Sequence, residues 1–272
     1  MSLLDALWLG LIQGLTEFLP VSSSGHLALA KALMGLDADA DQFKALVVFV
    51  HLGTALSVLT VYRQDVGAMV YHFFVALVKP GQWFPEYRRN KNFRKAVLIL
   101  ATLVPTGIAF IFMDDFVEDM FSKPKWVGGY LLVTAALLGL TMLRKRPDGQ
   151  MSMGKSLLVG VAQSFAMLPG VSRSGSTIAA ALYLNVSREE AANFSFLMAI
   201  PVILAGALLE GKDLLQQGIS SGQWLSILLA TVVSYFSGLG AIHLVLHFVR
   251  RGKLQYFAVY CMLAGALALW KL

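Results

Sequence analysis

Cysteine is nearly absent from this chain: Cys261 is the sole thiol in 272 residues. One thiol closes no intrachain disulfide and supplies no thiolate cluster for a metal. Charge is scarce too, at 14% of residues against roughly 25% in an average soluble protein. Nothing suggests nucleic-acid binding or a soluble domain. A cleavable signal peptide is not expected either, because the N-terminal apolar run carries Glu17 and leads straight into a polar loop.

What fills the chain instead is apolar sequence, 57% of it, with a mean hydropathy of +0.68. That composition predicts an integral membrane protein. Apolar stretches of the ~17–25 residues needed to cross hydrocarbon fall at 43–62, 96–113, 126–143, 191–210, 224–249 and 254–270, about six spans. The pieces 3–19 with 26–36 and 156–168 with 174–184 are too short to span singly. They read as two re-entrant helical hairpins, and segment 66–78 is too short to assign. The fold expected is an all-α polytopic membrane protein forming one domain, 1–272.

The two hairpins carry nearly the same loop. Val21-Ser22-Ser23-Ser24-Gly25 and Val171-Ser172-Arg173-Ser174-Gly175 each follow a Gln twelve residues before the Gly, at Gln13 and Gln163. Pro20 and Pro169 differ by one place, so the likeness concerns architecture more than turn geometry. Backbone within a bilayer must satisfy its own hydrogen bonds, so such breaks belong where protein or a wet cavity surrounds them. The half-helix after each break turns free amides and a positive dipole end into that cavity, which favours an anion.

Lys and Arg gather in three regions, which the positive-inside tendency places in the cytoplasm: Arg63 to Lys95, then Arg144, Lys145, Arg146 and Lys155, then Arg250 to Lys253. The acidic clusters Asp37, Asp39, Asp41 and Asp114, Asp115, Glu118, Asp119 fall on the other side. Both termini then lie outside. The first hairpin enters from outside and the second from the cytoplasm, each followed by three spans. The halves 1–143 and 154–272 become an inverted-topology repeat, whose site is expected near the midplane where residues 13–26 and 163–177 meet.

Gln13 and Glu17 lie four apart and share a helix face. An intramembrane carboxylate is costly and needs a cavity, a cation or a basic partner. Any one of Ser22, Ser23 and Ser24 reads most simply as a helix cap. Their company suggests more: His26, Glu17 and, in the paired loop, Arg173 beside Ser172, Ser174 and Thr177. An Arg fork suits phosphate oxygens, a carboxylate suits a hard divalent cation, and an imidazole moves protons at neutral pH. The set looks like a phosphoryl-transfer site. His51, His72, and Asn193 with Ser195 read as interhelical hydrogen-bonding residues, His243 and His247 as helix-end histidines, and Gly128-Gly129 as close helix packing.

Gln13-x-x-x-Glu17, Pro20-Val-Ser-Ser-Ser-Gly-His26, Pro169-Gly-Val-Ser-Arg-Ser-Gly-Ser-Thr177 and Phe194-Ser-Phe-Leu-x-Ala-Ile-Pro201 resemble the signature motifs of the undecaprenyl-diphosphate phosphatase family, the BacA/UppP type. The likeness covers essentially the whole chain. Ser24 stands where family members commonly have Thr, one hydroxyl for another. Gln13, where the family admits Glu or Gln, can bind a metal through oxygen but cannot act as a second carboxylate.

The resemblance implies hydrolysis of undecaprenyl diphosphate to undecaprenyl phosphate and inorganic phosphate in the bacterial inner membrane, with the site opening externally. It implies Glu17, Ser23, His26 and Arg173 as catalytic residues. Ser22, Ser24, Ser172, Arg173, Ser174 and Thr177 would bind phosphate, and Glu17 with Gln13 would hold Mg²⁺ or Ca²⁺. Ser23 attack through a phosphoserine and direct attack by water activated at His26 both stay open. The expected partners are the prenyl diphosphate and the bilayer, a homodimer is an open assembly, and nucleic acid is excluded.

Two rival classes share part of this pattern. The acid-phosphatase-like lipid phosphatases share a pattern resembling Ser23-Ser24-Gly25-His26, but Gly139 stands where that pattern needs Lys and Ala179 where it needs His. A polyprenyl-phosphate flippase or anion transporter would use the same inverted repeat. Passive anion binding, however, needs donors rather than a poised base.

Overall fold

The computed structural model describes residues 2–35, 40–121, 123–144, 147–217 and 222–271. Asp37, Asp39, Lys145 and Arg146, and the side chains of Asp41, Asp114, Asp115 and Glu118, lie outside the described residues. The described chain is helical, with one isolated parallel bridge between Gly149 and Val186 and no strand.

The first break separates α1 (Leu3–Phe18) from α2 (Ser23–Met34), and the second separates α8 (Met153–Phe165) from α9 (Arg173–Tyr183). Between them run α3 (Ala40–Val61), α4 (Arg63–Leu77), α5 (Trp83–Arg89), α6 (Lys91–Phe121) and α7 (Pro124–Leu140). The chain closes with α10 (Arg188–Gln217), α11 (Trp224–Arg250) and α12 (Gln255–Lys271). Local chemistry sets the ends. Ser2 and Asp5 form a capping box on α1, Pro124 occupies the first turn of α7, and Gly35 ends α2 in the left-handed region.

Among the described residues, five stretches are long and apolar enough to span a bilayer: Phe43–Val61, Lys91–Met113, Pro124–Leu143, Arg188–Gly211 and Trp224–Arg250. The sixth expected span is α12, an apolar helix of 17 residues. Helix ends differ from the sequence reading: α6 starts five residues before 96, inside the basic linker, and runs on to Phe121, α10 runs on to Gln217, and the unassigned 66–78 is most of α4. Bulky apolar side chains such as Ile111, Phe112, Leu208 and Trp270 lie exposed, as lipid-facing residues should.

Small residues bring the helices close. The first hairpin packs on the second half of the chain, α1 against α11, where a Cβ on Gly10 would collide with the carbonyl of Ala230. The second hairpin packs on the first half, α8 against α6, where a Cβ on Gly160 would sit 2.7 Å from the carbonyl of Thr102. Helices α7 and α12 cross at Gly128 and Gly265, and a Cβ on Gly265 would meet the Gly128 carbonyl at 2.7 Å. Each hairpin is thereby clamped by helices of the other half. Phe18, at the end of α1, meets Phe196 of α10 edge-on at 5.6 Å in the core beneath the hairpin tips.

Candidate active site

The hairpin tips meet through hydroxyls. Ser22 Oγ accepts from the amides of Gly25 at 3.3 Å and, across the interface, Gly170 at 3.1 Å. Thr134 of α7 straps the second tip, donating to the Gly170 carbonyl at 2.8 Å and accepting from the Ser172 amide at 2.9 Å. Ser174 Oγ donates to the carbonyl of Leu19 at 3.1 Å, back across to the first tip. The tips approach so closely that a Cβ on Gly25 would lie 2.9 Å from Gly170 Cα.

The two turns are alike in capping and unlike in backbone. Ser22 and Ser172 cap their helices identically, and each lies 3.3 Å from a second hydroxyl, Ser24 and Ser174. Yet Ser22 has φ 70°, strained for a residue with a Cβ, whereas Ser172 has φ −72° and the positive φ moves to Gly170. The one-place offset of the prolines accompanies this shift.

Glu17 sits buried in the last turn of α1 at the centre of the constellation. Its Oε1 accepts from Arg173 Nη2 at 2.6 Å. Its Oε2 accepts from Ser23 Oγ at 2.6 Å and Gln13 Nε2 at 2.9 Å, and His51 Nε2 stands 3.7 Å away. Arg173 donates its other nitrogen, Nη1, to the Ser195 carbonyl at 3.0 Å, which aims the guanidinium from the start of α9 toward the first hairpin. Residues 156 positions apart thus form a buried ion pair, and the Ser23 hydroxyl leans on the same carboxylate.

The expected site residues divide accordingly. Glu17, Ser23, Arg173 and Gln13 come together. His26 lies to one side, with Nδ1 2.8 Å from the Ser22 carbonyl and Nε2 2.7 Å from the Tyr260 hydroxyl. Ser22, Ser172 and Ser174 are buried and already engaged in caps and stitches, and Ser24 partners Ser22. Thr177 donates to the Arg173 carbonyl at 2.8 Å and meets Ser195 Oγ at 2.7 Å. The amides of Ser23, Ser24, Arg173 and Ser174 precede the first backbone bonds of α2 and α9, which are made by His26 and Ser176.

Four neighbours of the site were not assigned to it from sequence: His51, Thr134, Ser195 and Tyr260. His51, expected to hydrogen-bond between helices, bonds Val47 of its own helix through Nδ1 and turns Nε2 toward Glu17 of α1. A polar side chain inside the span 43–62 was the available signal. For Thr134 and Tyr260 no local pattern pointed to the site.

A divalent cation fits the oxygen donors in part. Gln13 Oε1 is buried without a hydrogen-bond partner next to the Glu17 carboxylate. No group of three His, Cys, Asp or Glu side chains that could hold a metal occurs among the described residues. The protein therefore offers two oxygen-bearing side chains, and phosphate and water would complete the six or more ligands such ions take.

Residues 6–267 match the family model described as bacitracin resistance protein BacA. A relative from Salinibacter ruber described as undecaprenyl-diphosphatase is 52% identical over 268 residues, covering 98% of each chain. Proteins with the same description from Halothermothrix orenii, covering 97% of this chain and 96% of the relative, and Bacteroides fragilis, with the same coverage, are 40% and 38% identical.

Proposed function

From the premise that the chain belongs to the bacitracin resistance protein BacA family, we propose how its site performs the reaction that its relatives are named for. The protein is a multi-pass inner-membrane lipid phosphatase that hydrolyses undecaprenyl diphosphate to undecaprenyl phosphate and inorganic phosphate, recycling the cell-wall lipid carrier.

The observation that carries the mechanism is the 2.6 Å hydrogen bond from Ser23 Oγ to Glu17. A hydroxyl paired with a carboxylate is the arrangement of an activated nucleophile. When the diphosphate enters, Arg173 exchanges Glu17 for the oxygens of the terminal phosphoryl group, joined by the opening amides of α2 and α9. Glu17, released from its ion pair, takes the Ser23 proton as Oγ attacks phosphorus. The bond to the bridging oxygen breaks, and undecaprenyl phosphate leaves with the electron pair. In the second step His26 Nε2 takes a proton from water, hydroxide attacks the phosphoserine, and Ser23 recovers its proton from Glu17 as phosphate departs. Mg²⁺ or Ca²⁺ held by Glu17 and Gln13 would neutralise phosphate charge when bound. Positioning and electrostatics carry most of the rate.

The halves 1–143 and 154–272 act in this reading as inverted repeats whose tips form the site, with the opening and both termini external. The prenyl chain stays in lipid while the head group reaches the tips. Phosphate release from undecaprenyl diphosphate by the detergent-purified protein, with Mg²⁺ or Ca²⁺ and with chelator, tests the reading. Metal-dependent release that Ser23→Ala abolishes, with phosphoserine trapped on the wild type, supports it. Full release by Ser23→Ala overturns the serine route in favour of direct water attack. No release by folded wild-type protein makes lipid or anion transport the better account.

A further inference from the structure

The hydroxyl on His26 comes from far away in sequence and from an unexpected direction. Tyr260 lies on α12, 234 residues after His26, on a helix held against α7 by the Gly128–Gly265 crossing. Its ring stacks on the imidazole, with centroids 5.6 Å apart and planes 13° apart, while its hydroxyl reaches Nε2 at 2.7 Å. Tyr260 is 46% exposed, beside Val259 at 50% and Leu263 at 63%. It stands where the lipid-facing surface of α12 meets the edge of the site.

The hydrogen bonds fix the imidazole's protons. A backbone carbonyl only accepts, so the contact with Ser22 requires the proton on Nδ1. In the neutral ring Nε2 then carries the lone pair, and the Tyr260 hydroxyl must be its donor. A residue that merely covered lipid-facing surface would need neither the hydroxyl at this nitrogen nor the parallel stack.

We propose that Tyr260 is a positioning residue for His26: its hydroxyl and stacked ring, together with the Ser22 carbonyl, hold the imidazole in one orientation as the Nδ1–H tautomer, with Nε2 at the lipid-side edge of the site. The role rests on the phosphatase reading, in which His26 activates water in the second step. The stacked ring removes rotational freedom that the base would otherwise lose at each turnover. Substrate head groups arriving from the bilayer pass this residue, so a water must replace the phenol at Nε2 before the proton moves.

Tyr260→Phe keeps the stack and deletes the hydroxyl. The expected result is a kcat about tenfold lower, part of the 10²–10⁴ that a positioned general base supplies, with KM within about twofold of wild type. Phosphoserine should accumulate, because only the second step is slowed. Nitrogen chemical shifts of the histidines, with His26 assigned by its loss in His26→Gln, read the tautomer without turnover. The Nδ1–H form should dominate in wild type and give way to a mixture in Tyr260→Phe. Unchanged kcat and tautomer in folded Tyr260→Phe would overturn the proposal while wild-type phosphate release leaves the phosphatase reading intact. If wild-type protein released no phosphate yet the tautomer still shifted, the reaction would be misassigned and the positioning contact would stand.

Discussion

Glu17 and Arg173 hold each other in a place where neither could be buried alone. Charges paired in a low-dielectric interior gain little net stability from the pair, but breaking it leaves one charge uncompensated at about 3–5 kcal/mol. Arg173→Ala should therefore lower both unfolding stability and phosphate release. Adding Glu17→Gln to that variant should recover much of the stability, because the orphaned charge is gone, and none of the activity. Thermal unfolding in detergent and a phosphate-release assay on the single and double variants separate the two effects. If the double variant is no more stable than Arg173→Ala, the pair is not what the fold depends on. The Glu and the Arg were both legible in sequence because charged residues are rare in apolar runs and each demanded a partner. The division among the serines was not. Ser22, Ser23 and Ser24 are adjacent and chemically identical, and only the backbone twist at Ser22 sends one hydroxyl to Gly170 and the next to Glu17. His51 escaped for a related reason: a lone histidine in a span says nothing about which helix it will face.

At the scale of elements, the two hairpins were legible to within a few residues, since Pro, Gly and Ser in an apolar run break a helix wherever they occur. Packing was less so. Gly128-Gly129 signals close approach, but a helix shows a neighbour only one of two successive residues. Gly128 faces α12, while nothing lies within 4 Å of a Cβ built on Gly129. Gly265→Ala places a methyl 2.7 Å from the Gly128 carbonyl and should destabilise the protein by about 1–3 kcal/mol through overpacking. Gly129→Ala meets no such contact and should leave stability equal or raise it by about 0.5–1 kcal/mol, as Ala does over Gly in a helix interior. Detergent thermal unfolding of the two variants reads the contrast, and equal destabilisation would mean that α7 and α12 cross elsewhere. A displaced α12 would also carry Tyr260 away from His26, so Gly265→Ala should lose activity along with stability.

For the whole molecule, hydropathy located the spans, but their ends reflected tertiary packing. α6 begins within the basic linker, and the contact between Lys95 and Asp65 of α4, at 3.7 Å, ties that linker end to the preceding helix. Orientation rests on charge alone, which the helices by themselves do not reveal. On the proposed orientation, with the basic segment 79–95 inside, the connection between α6 and α7 would be outside, and so would the mouth of the first hairpin. The single native thiol makes this directly measurable: Cys261 is fully buried, its Sγ against the Pro20 carbonyl, and should stay unreactive. A membrane-impermeant maleimide applied to spheroplasts should label Lys125→Cys at once and Arg89→Cys only after lysis, both positions being exposed. The reverse pattern would turn the molecule over and open the site to the cytoplasm.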